Sequence, residues 1–372
     1  MSFNLTSHRL SRRGVLRTGA AALAATLLPA RALLAQTPLV IGAVYVGPRD
    51  DFGWNQSHAA AMNILRDVPG VTVVEEENVA ETNAVTQTME SMINLEGANL
   101  ILATSFGYYS PFVVETAAKY PDVQFRHCAP LWNPETDPAN AGSYFSYLNQ
   151  AHYVNGVAAG LSSPTGLLGF VAAKPVQTVL SNVNSFLLGA RSVNPDARVR
   201  VIFTGEWSMP VREAEATNAL IDAGCDVIGC HVDGPKVVIE TAEARGVRTC
   251  GHNADLSPLA PNGFITGAES KWETVYTSYA EALAAGDTPP NLISGGYHND
   301  MLRNTAFGAG ATPEAIAAAE AAIAGLKDGK PVYVGPLKDN RGNLVITATM
   351  DNYAPELESM DYLLEGIIGS TT

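Results

Sequence analysis

Two tryptophans stand directly after strand-like runs, where an aromatic face is open to a ligand. Trp54 lies in GPRDDFGWNQ (residues 47–56), a turn rich in Gly and Asp that follows the apolar run VIGAVYV (40–46), and Trp207 lies in TGEWSMP (204–210), which follows ARVRVIFTG (197–205). An indole offers a flat apolar surface, and stacking on such a surface contributes about 1–3 kcal/mol per base. Polar groups crowd the same kind of turn. Asp51, Phe52 and Asn55 flank the first tryptophan, TSFGYYS (104–110) carries Phe106 and Gly107, CHVDGP (230–235) carries Asp233, and GHNAD (251–255) carries Asn253 and Asp255. A flat ring clamped between Trp54 and Trp207, its polar edge read by Asn55, Asp51 and Asp233, is the chemistry these types suit. Asp51 has a second use, since an acid at a helix start is favoured by the helix dipole.

No catalytic set competes strongly. The chain has no GxSxG, no GxGxxG after a strand, no P-loop and no HExxH. His127, His152, His231, His252 and His298 are scattered, and only His231 with Asp233, alternating on one strand, makes a weak acid–base pair. The alternative readings are an exported hydrolase of an N-glycosidic or amide bond with Asp233 or Asp255 as base, and a receptor for a sugar or an amide. Cys128, Cys225, Cys230 and Cys250 show no CxxC spacing, and CDVIGCH matches no common zinc pattern. Free buried thiols are expected, with a Cys230–Cys250 bridge as the alternative. No cofactor or metal is called for.

The elements that must position these turns follow an alternating pattern. VIGAVYV, VTVVEE (71–76), NLILATS (99–105) and VQFRHC (123–128) are strand-like, with segments of helical period such as NAVTQTMESMINLEG between them. This is the signature of a parallel sheet with helices on both faces. The pattern restarts near residue 150: TGLLGFVAAK, ARVRVIFTG, CDVIGCHVD and VRTCGHNAD are the strands of a second half. QAHYVNGVAAGLSS (150–163) is the helix at the changeover. GFITGAES and NLISGGYHND are further short strands, and a late helix begins with Thr312 as N-cap and Pro313 at its first position and stops near Gly329. Residues 37–148 with 273–308 are assigned to one lobe, 149–272 with 309–350 to the other, and 351–372 to a C-terminal tail. Several crossings between lobes make a hinge, and ligands of open parallel sheets bind beyond the C-terminal strand ends.

The N-terminus bears on compartment. SRRGVLRTGAAALAATLLPARALLAQ (11–36) places Arg12 and Arg13 before a short apolar stretch and small residues, the order of a Tat-type export signal, so residues 1–36 are assigned to one. The apolar stretch is too short to span a bilayer, and cleavage after Ala32 or Ala35 leaves no cysteine to carry a lipid. Taking the five arginines of residues 1–36 from the 23 basic residues leaves 18 against 37 acidic ones, a net charge of −19. So acidic a chain, without basic clusters, excludes nucleic acid and anionic membrane surfaces as partners. The expected product is a soluble periplasmic monomer.

These residues together resemble a known family. DDFGWNQ after the first strand, SFGYYSP after the third, SVNPDARV before a second-lobe strand and W-x-x-P in EWSMP look like the basic membrane protein family, substrate-binding proteins of ABC importers that include purine nucleoside receptors. GPLKDNRGNLVI (335–346) is similar to the closing hairpin of one branch. The resemblance implies a periplasmic-binding-protein type I fold, an inner-membrane ABC permease as partner, and a purine stacked in the cleft. It puts Trp54 at the stacking position, Asn55 at the base, Phe106 and Gly107 on the cleft loop, Trp207 on the opposing wall and Asp233 beside it. Two positions depart from nucleoside receptors: Asn253 replaces the first aspartate of a G-x-D-x-D loop, and Ser270 replaces a lysine, with Lys271 one step off. A neutral Asn holds a ribose diol less tightly than a carboxylate does, so a free base such as adenine fits at least as well as a nucleoside.

Overall fold

The computed structural model describes residues 38–371, and the expected export signal lies outside them. Its first sheet holds β1 (Leu39–Val44), β2 (Val71–Glu76), β3 (Leu100–Ala103), β4 (Gln124–Cys128), β5 (Ala141–Ser146) and β11 (Leu292–Gly295), in the order β11-β5-β4-β3-β1-β2. All its pairings are parallel. The second sheet holds β6 (Leu167–Ala172), β7 (Arg198–Phe203), β8 (Val227–His231), β9 (Arg248–His252), β10 (Phe264–Ser270), β12 (Leu302–Asn304) and β15 (Ile367–Ile368), in the order β12-β10-β9-β8-β6-β7-β15. It is parallel except where β12 pairs antiparallel with β10. Between them β13 (Leu337–Lys338) and β14 (Leu344–Ile346) form a hairpin.

Helices cover both faces of each sheet: α1 (Trp54–Arg66), α2 (Ala84–Glu96) and α3 (Val114–Lys119) in the first half, then α4 (Asn149–Ser162), α5 (Gln177–Val193), α6 (Pro210–Asp222) and α7 (Lys236–Ala244). α8 (Trp272–Ala285) returns to the first sheet, where Trp272, Val275, Tyr276 and Tyr279 pack with Leu39 and Ile41. α9 (Pro313–Lys327) packs with the second. Its start is the expected one, with the Ala315 N–H donating to Thr312 Oγ1 at 3.1 Å and Pro313 at the first position. β1 is buried along its whole length, which is why a purely apolar run marks it. α4 and α5 approach closely because they carry glycine at the contact: a Cβ on Gly156 would strike the Phe186 carbonyl, and one on Gly189 the Tyr153 carbonyl.

Two pieces lie elsewhere than the sequence reading places them. β12 falls within 273–308, assigned to the first lobe, yet it covers the edge of β10 in the second sheet; after β11 the chain turns through Tyr297–Asn299 and reverses, which shields an edge that would otherwise offer unpaired groups. Residues 351–371, assigned to a tail, supply β15 and bury Leu357, Met360, Leu363 and Ile367 in the second core. Their apolar residues follow neither a helical nor a strand period. β5 is missing from the sequence reading for the same kind of reason: AGSYFS is buried mostly through small and polar residues. The chain thus passes between the sheets at β5–β6, β10–β11 and β11–β12. All four cysteines are buried and free.

Candidate functional site

The strand ends of the two sheets converge on one cavity of about 220 Å³. Trp54, Phe106, Trp207, Asp233 and Asn253, all singled out from sequence, line it together. The turns that carry the two tryptophans are tied to each other through Asp233. The Trp54 backbone N–H donates to the Asp233 carbonyl at 2.8 Å, and the Asp233 N–H donates to the Trp207 carbonyl at 2.8 Å. Gly53 makes this approach possible, because any Cβ there would collide with the Asp233 carbonyl oxygen. Phe52 completes the clasp: it takes a left-handed backbone (φ 59°), packs into the apolar cluster of the second half and lies 4.7 Å from the Lys236 ammonium. A bulky residue in that region is strained on its own, so the cluster holds it there.

The first-half wall is aromatic and rigid. Trp54 Nε1 donates to the Thr104 carbonyl at 3.2 Å, and the indole meets His58 edge-on at 4.7 Å and Trp272 edge-on at 6.2 Å. His58 in turn stacks on Trp272 at 4.8 Å and bonds the Tyr276 hydroxyl at 2.6 Å. Burial pushes the His58 imidazole down to about 3, so it stays neutral. Trp272 also lines the cavity, with its Nε1 donating to Ser57 Oγ at 3.1 Å.

The second-half wall is polar. The Asp233 carboxyl has no hydrogen-bond partner among the described residues, and its pKa is pushed up to about 8. Burial is the main cause, followed by the neighbouring acids Asp51, Glu81 and Glu213, with Lys174 opposing. Near neutral pH it therefore carries a proton most of the time, and a carboxylic acid offers one donor and one acceptor side by side. Asn182 Nδ2 donates to His231 Nδ1 at 2.7 Å, which places the His231 proton on Nε2. Burial pushes the His231 imidazole down to about 3; burial and the neighbouring imidazoles lower His252, whose Nδ1 lies 3.0 Å from His152 Nε2. The His231 and His252 rings are 4.2 Å apart and both line the cavity. Asn253 adopts φ 67°, which turns the chain at the end of β9, and its side-chain amide has no hydrogen-bond partner among the described residues.

The remaining predicted residues lie behind or beside this surface. Asp51 accepts from the backbone N–H groups of Gly53, Asn55 and Gln56 at 2.9–3.0 Å, so it caps the start of α1. Asn55 is buried; its Nδ2 donates to Asp51 at 2.8 Å and its Oδ1 accepts from the Gly47 N–H at 3.2 Å, so its amide is spent on its own turn rather than on a ring edge. Gly107 donates its N–H to Glu81 at 3.0 Å, and a Cβ there would strike that carboxylate. Asp255 is exposed and accepts from the Ser257 N–H at 2.9 Å. Glu81, Trp272, His231, His252, Leu357 and Glu358 line the cavity without having been proposed as contacts. Glu81 follows β2, a strand end the sequence reading passed over; Leu357 and Glu358 belong to the segment read as a tail.

With this geometry in place, comparison with known proteins gives a consistent result. Residues 39–302 match the family model for ABC transporter substrate-binding proteins, PnrA-like. A purine-binding protein of Brucella abortus (strain 2308) is 33% identical over 336 residues, 90% of this chain and 94% of its own length. A protein of Haloferax volcanii named for ABC-transporter glucose binding is 28% identical over 85% of this chain and 79% of its own length. Among solved structures, an ABC transporter solute-binding protein of Conexibacter woesei superposes with a TM-score of 0.67 at 21% identity, covering 78% of this chain and 96% of that one. One from Aeropyrum pernix K1 gives 0.66 at 17%, covering 81% and 93%. Both likenesses show the fold, the two-lobed α/β architecture of periplasmic-binding-protein type I.

Proposed function

Because the chain belongs to the PnrA-like family of ABC-transporter substrate-binding proteins, we propose that it is an exported periplasmic receptor that closes on a purine base or nucleoside-like heterocycle and delivers it to an inner-membrane permease. The observation that carries this reading is the pair of indoles, one from each lobe, lining a cavity that also holds the Asp233 carboxyl and Asn253 amide, neither of which has a side-chain hydrogen-bond partner among the described residues. A purine supplies what both walls lack. Its faces stack on indole, and its edge sets an acceptor nitrogen beside an amino donor, as adenine does with N7 and its exocyclic amine. A protonated carboxyl pairs with such an edge through both oxygens. The Brucella relative is named for purine binding, which supports the same ligand class.

Binding without turnover fits the two acids named as candidate bases. Asp255 is exposed and outside the cavity lining, and Asp233, mostly protonated near neutral pH, is a poor base. The test is a ligand panel of adenine, hypoxanthine, adenosine and glucose, read by tryptophan fluorescence and thermal shift on the purified mature protein. A purine compound is expected to quench fluorescence and raise the Tm, as any ligand that binds only the folded state does. Response to glucose alone, or release of free base from adenosine, overturns the reading.

A further inference from the structure

The family match ends at residue 302, yet part of the cavity wall comes from far beyond it. The chain returns at Pro355–Ser359 in a short helical turn, and Leu357 and Glu358 face the cavity from there. The turn is firmly held. Leu357 is 4% exposed and packs in the core with Tyr147 and Met360. On one side Asn352 accepts from the Val332 N–H and donates to the Lys330 carbonyl, both at 2.9 Å. On the other, Asn184 of α5 accepts from the Leu364 N–H at 2.8 Å and donates to the Tyr362 carbonyl at 2.9 Å. Most telling is the contact with the crossing between lobes. Tyr147, directly after β5, donates its hydroxyl to Glu358 Oε1 at 2.8 Å and meets the Tyr353 ring edge-on at 5.2 Å. Burial and the Glu358 charge raise the Tyr147 phenol above its usual range, so it remains a donor.

One carboxylate oxygen of Glu358 is thus fixed by Tyr147, and the carboxylate stands at the rim of the cavity. The acidic side chains of that lining are Glu81 and Glu358, with the mostly protonated Asp233 beside them, and no lysine or arginine is among the lining residues. Anions are repelled by such a lining, while N–H and O–H donors find acceptors in it.

We infer that the C-terminal turn is a specificity wall of the ligand cavity, in which Leu357 sets the room at the hinge end and Glu358, oriented by Tyr147, accepts a hydrogen bond from an uncharged ligand bearing an N–H or O–H there, to the exclusion of phosphorylated ligands. The inference rests on the receptor reading above but concerns a segment outside the family match. Leu357→Phe fills space at that end, Leu357→Ala opens it, Glu358→Gln replaces an acceptor-only carboxylate with an amide, and Tyr147→Phe frees Glu358 without touching it. Each variant and the unsubstituted protein are titrated with adenine, adenosine, adenosine monophosphate and glucose by calorimetry, with circular dichroism and ligand-free Tm confirming folding.

The unsubstituted protein is expected to bind the monophosphate at least 100-fold more weakly than adenosine or adenine. The adenosine-to-adenine affinity ratio is expected to fall at least fivefold in Leu357→Phe and to rise in Leu357→Ala. Glu358→Gln should weaken the preferred ligand about tenfold and Tyr147→Phe about threefold, with Tm unchanged in Glu358→Gln. A ratio that stays within twofold in a folded Leu357→Phe, together with unaltered binding by Glu358→Gln, overturns the wall. Binding of glucose alone removes the purine reading while the variants still test the wall on glucose; a protein that binds none of the four overturns both.

Discussion

The two walls of the cavity are built on opposite plans. On the first lobe, Trp54 is pinned by a hydrogen bond from its own ring nitrogen and backed by His58, whose Nδ1 bonds Tyr276, and by Trp272, whose Nε1 donates to Ser57. On the second, Asp233 and Asn253 keep hydrogen-bonding capacity in hand among the described residues, beside the rings of Trp207, His231 and His252. A rigid flat wall supplies affinity that depends little on which ring is bound; a wall of unspent donors and acceptors decides which edge is accepted. The clasp of Gly53 and Trp54 on Asp233 brings the two into register. Affinity and selectivity should therefore separate when each wall is disturbed in turn.

The largest effect is expected where the walls meet. Gly53→Ala places a methyl group against the Asp233 carbonyl and breaks the Trp54 N–H bond to it. Affinity for every ligand should drop about 100-fold, and small-angle scattering should show no compaction on adding the ligand that compacts the unsubstituted protein. A variant that still compacts and binds within threefold shows that closure does not use this clasp.

Next comes the aromatic wall itself. Trp54→Ala removes a braced stacking face and should cost about 1–3 kcal/mol, roughly a 5- to 150-fold loss in affinity. Its signature is uniformity: adenine, hypoxanthine and adenosine should weaken by similar factors, since every ring has a face. Trp207→Ala, which deletes an indole without a ring-nitrogen hydrogen bond among the described residues, should do less. Ligand-dependent losses that differ tenfold between bases would make the first lobe a reader of edges and dissolve the contrast.

What the sequence disclosed follows the same division. Long apolar strands such as β1 betray the sheets, and with them the strand ends where Trp54, Trp207 and Asp233 emerge. Whether a polar side chain at such an end faces a ligand or its own backbone is a matter of a single rotation. Asp51 and Asn55 stand within four residues of Trp54, yet they bond to each other and to their own turn. Glu81 lies five residues past the end of β2, beyond the turn that a strand end marks, and Gly107 leaves room for it at the cavity. Leu357 and Glu358 lie in a stretch without period, placed by long-range bonds from Asn184 and Asn352 that no local pattern encodes.

The smallest effect concerns the polar wall in the absence of ligand. The Asp233 carboxyl titrates near 8 in the folded protein against an ordinary value of 3.8, so the folded state holds its proton more firmly than the unfolded one. Stability from this group is therefore complete below about pH 4 and is lost as pH rises from there through 8, because over that interval the unfolded chain releases a proton that the folded chain keeps. Asn cannot ionise, so Asp233→Asn escapes the decline. Since the group faces a cavity that water can enter, the gain is held to about 1 kcal/mol. For a folded unit of this size that corresponds to a Tm higher by roughly 1–2 °C at pH 9, with the difference closing toward pH 4. Melting curves for both proteins between pH 4 and pH 9 make the check. Parallel curves would mean that Asp233 is ionised across the range, and the second wall would then read its ligand as a carboxylate, accepting two hydrogen bonds instead of giving one and taking one.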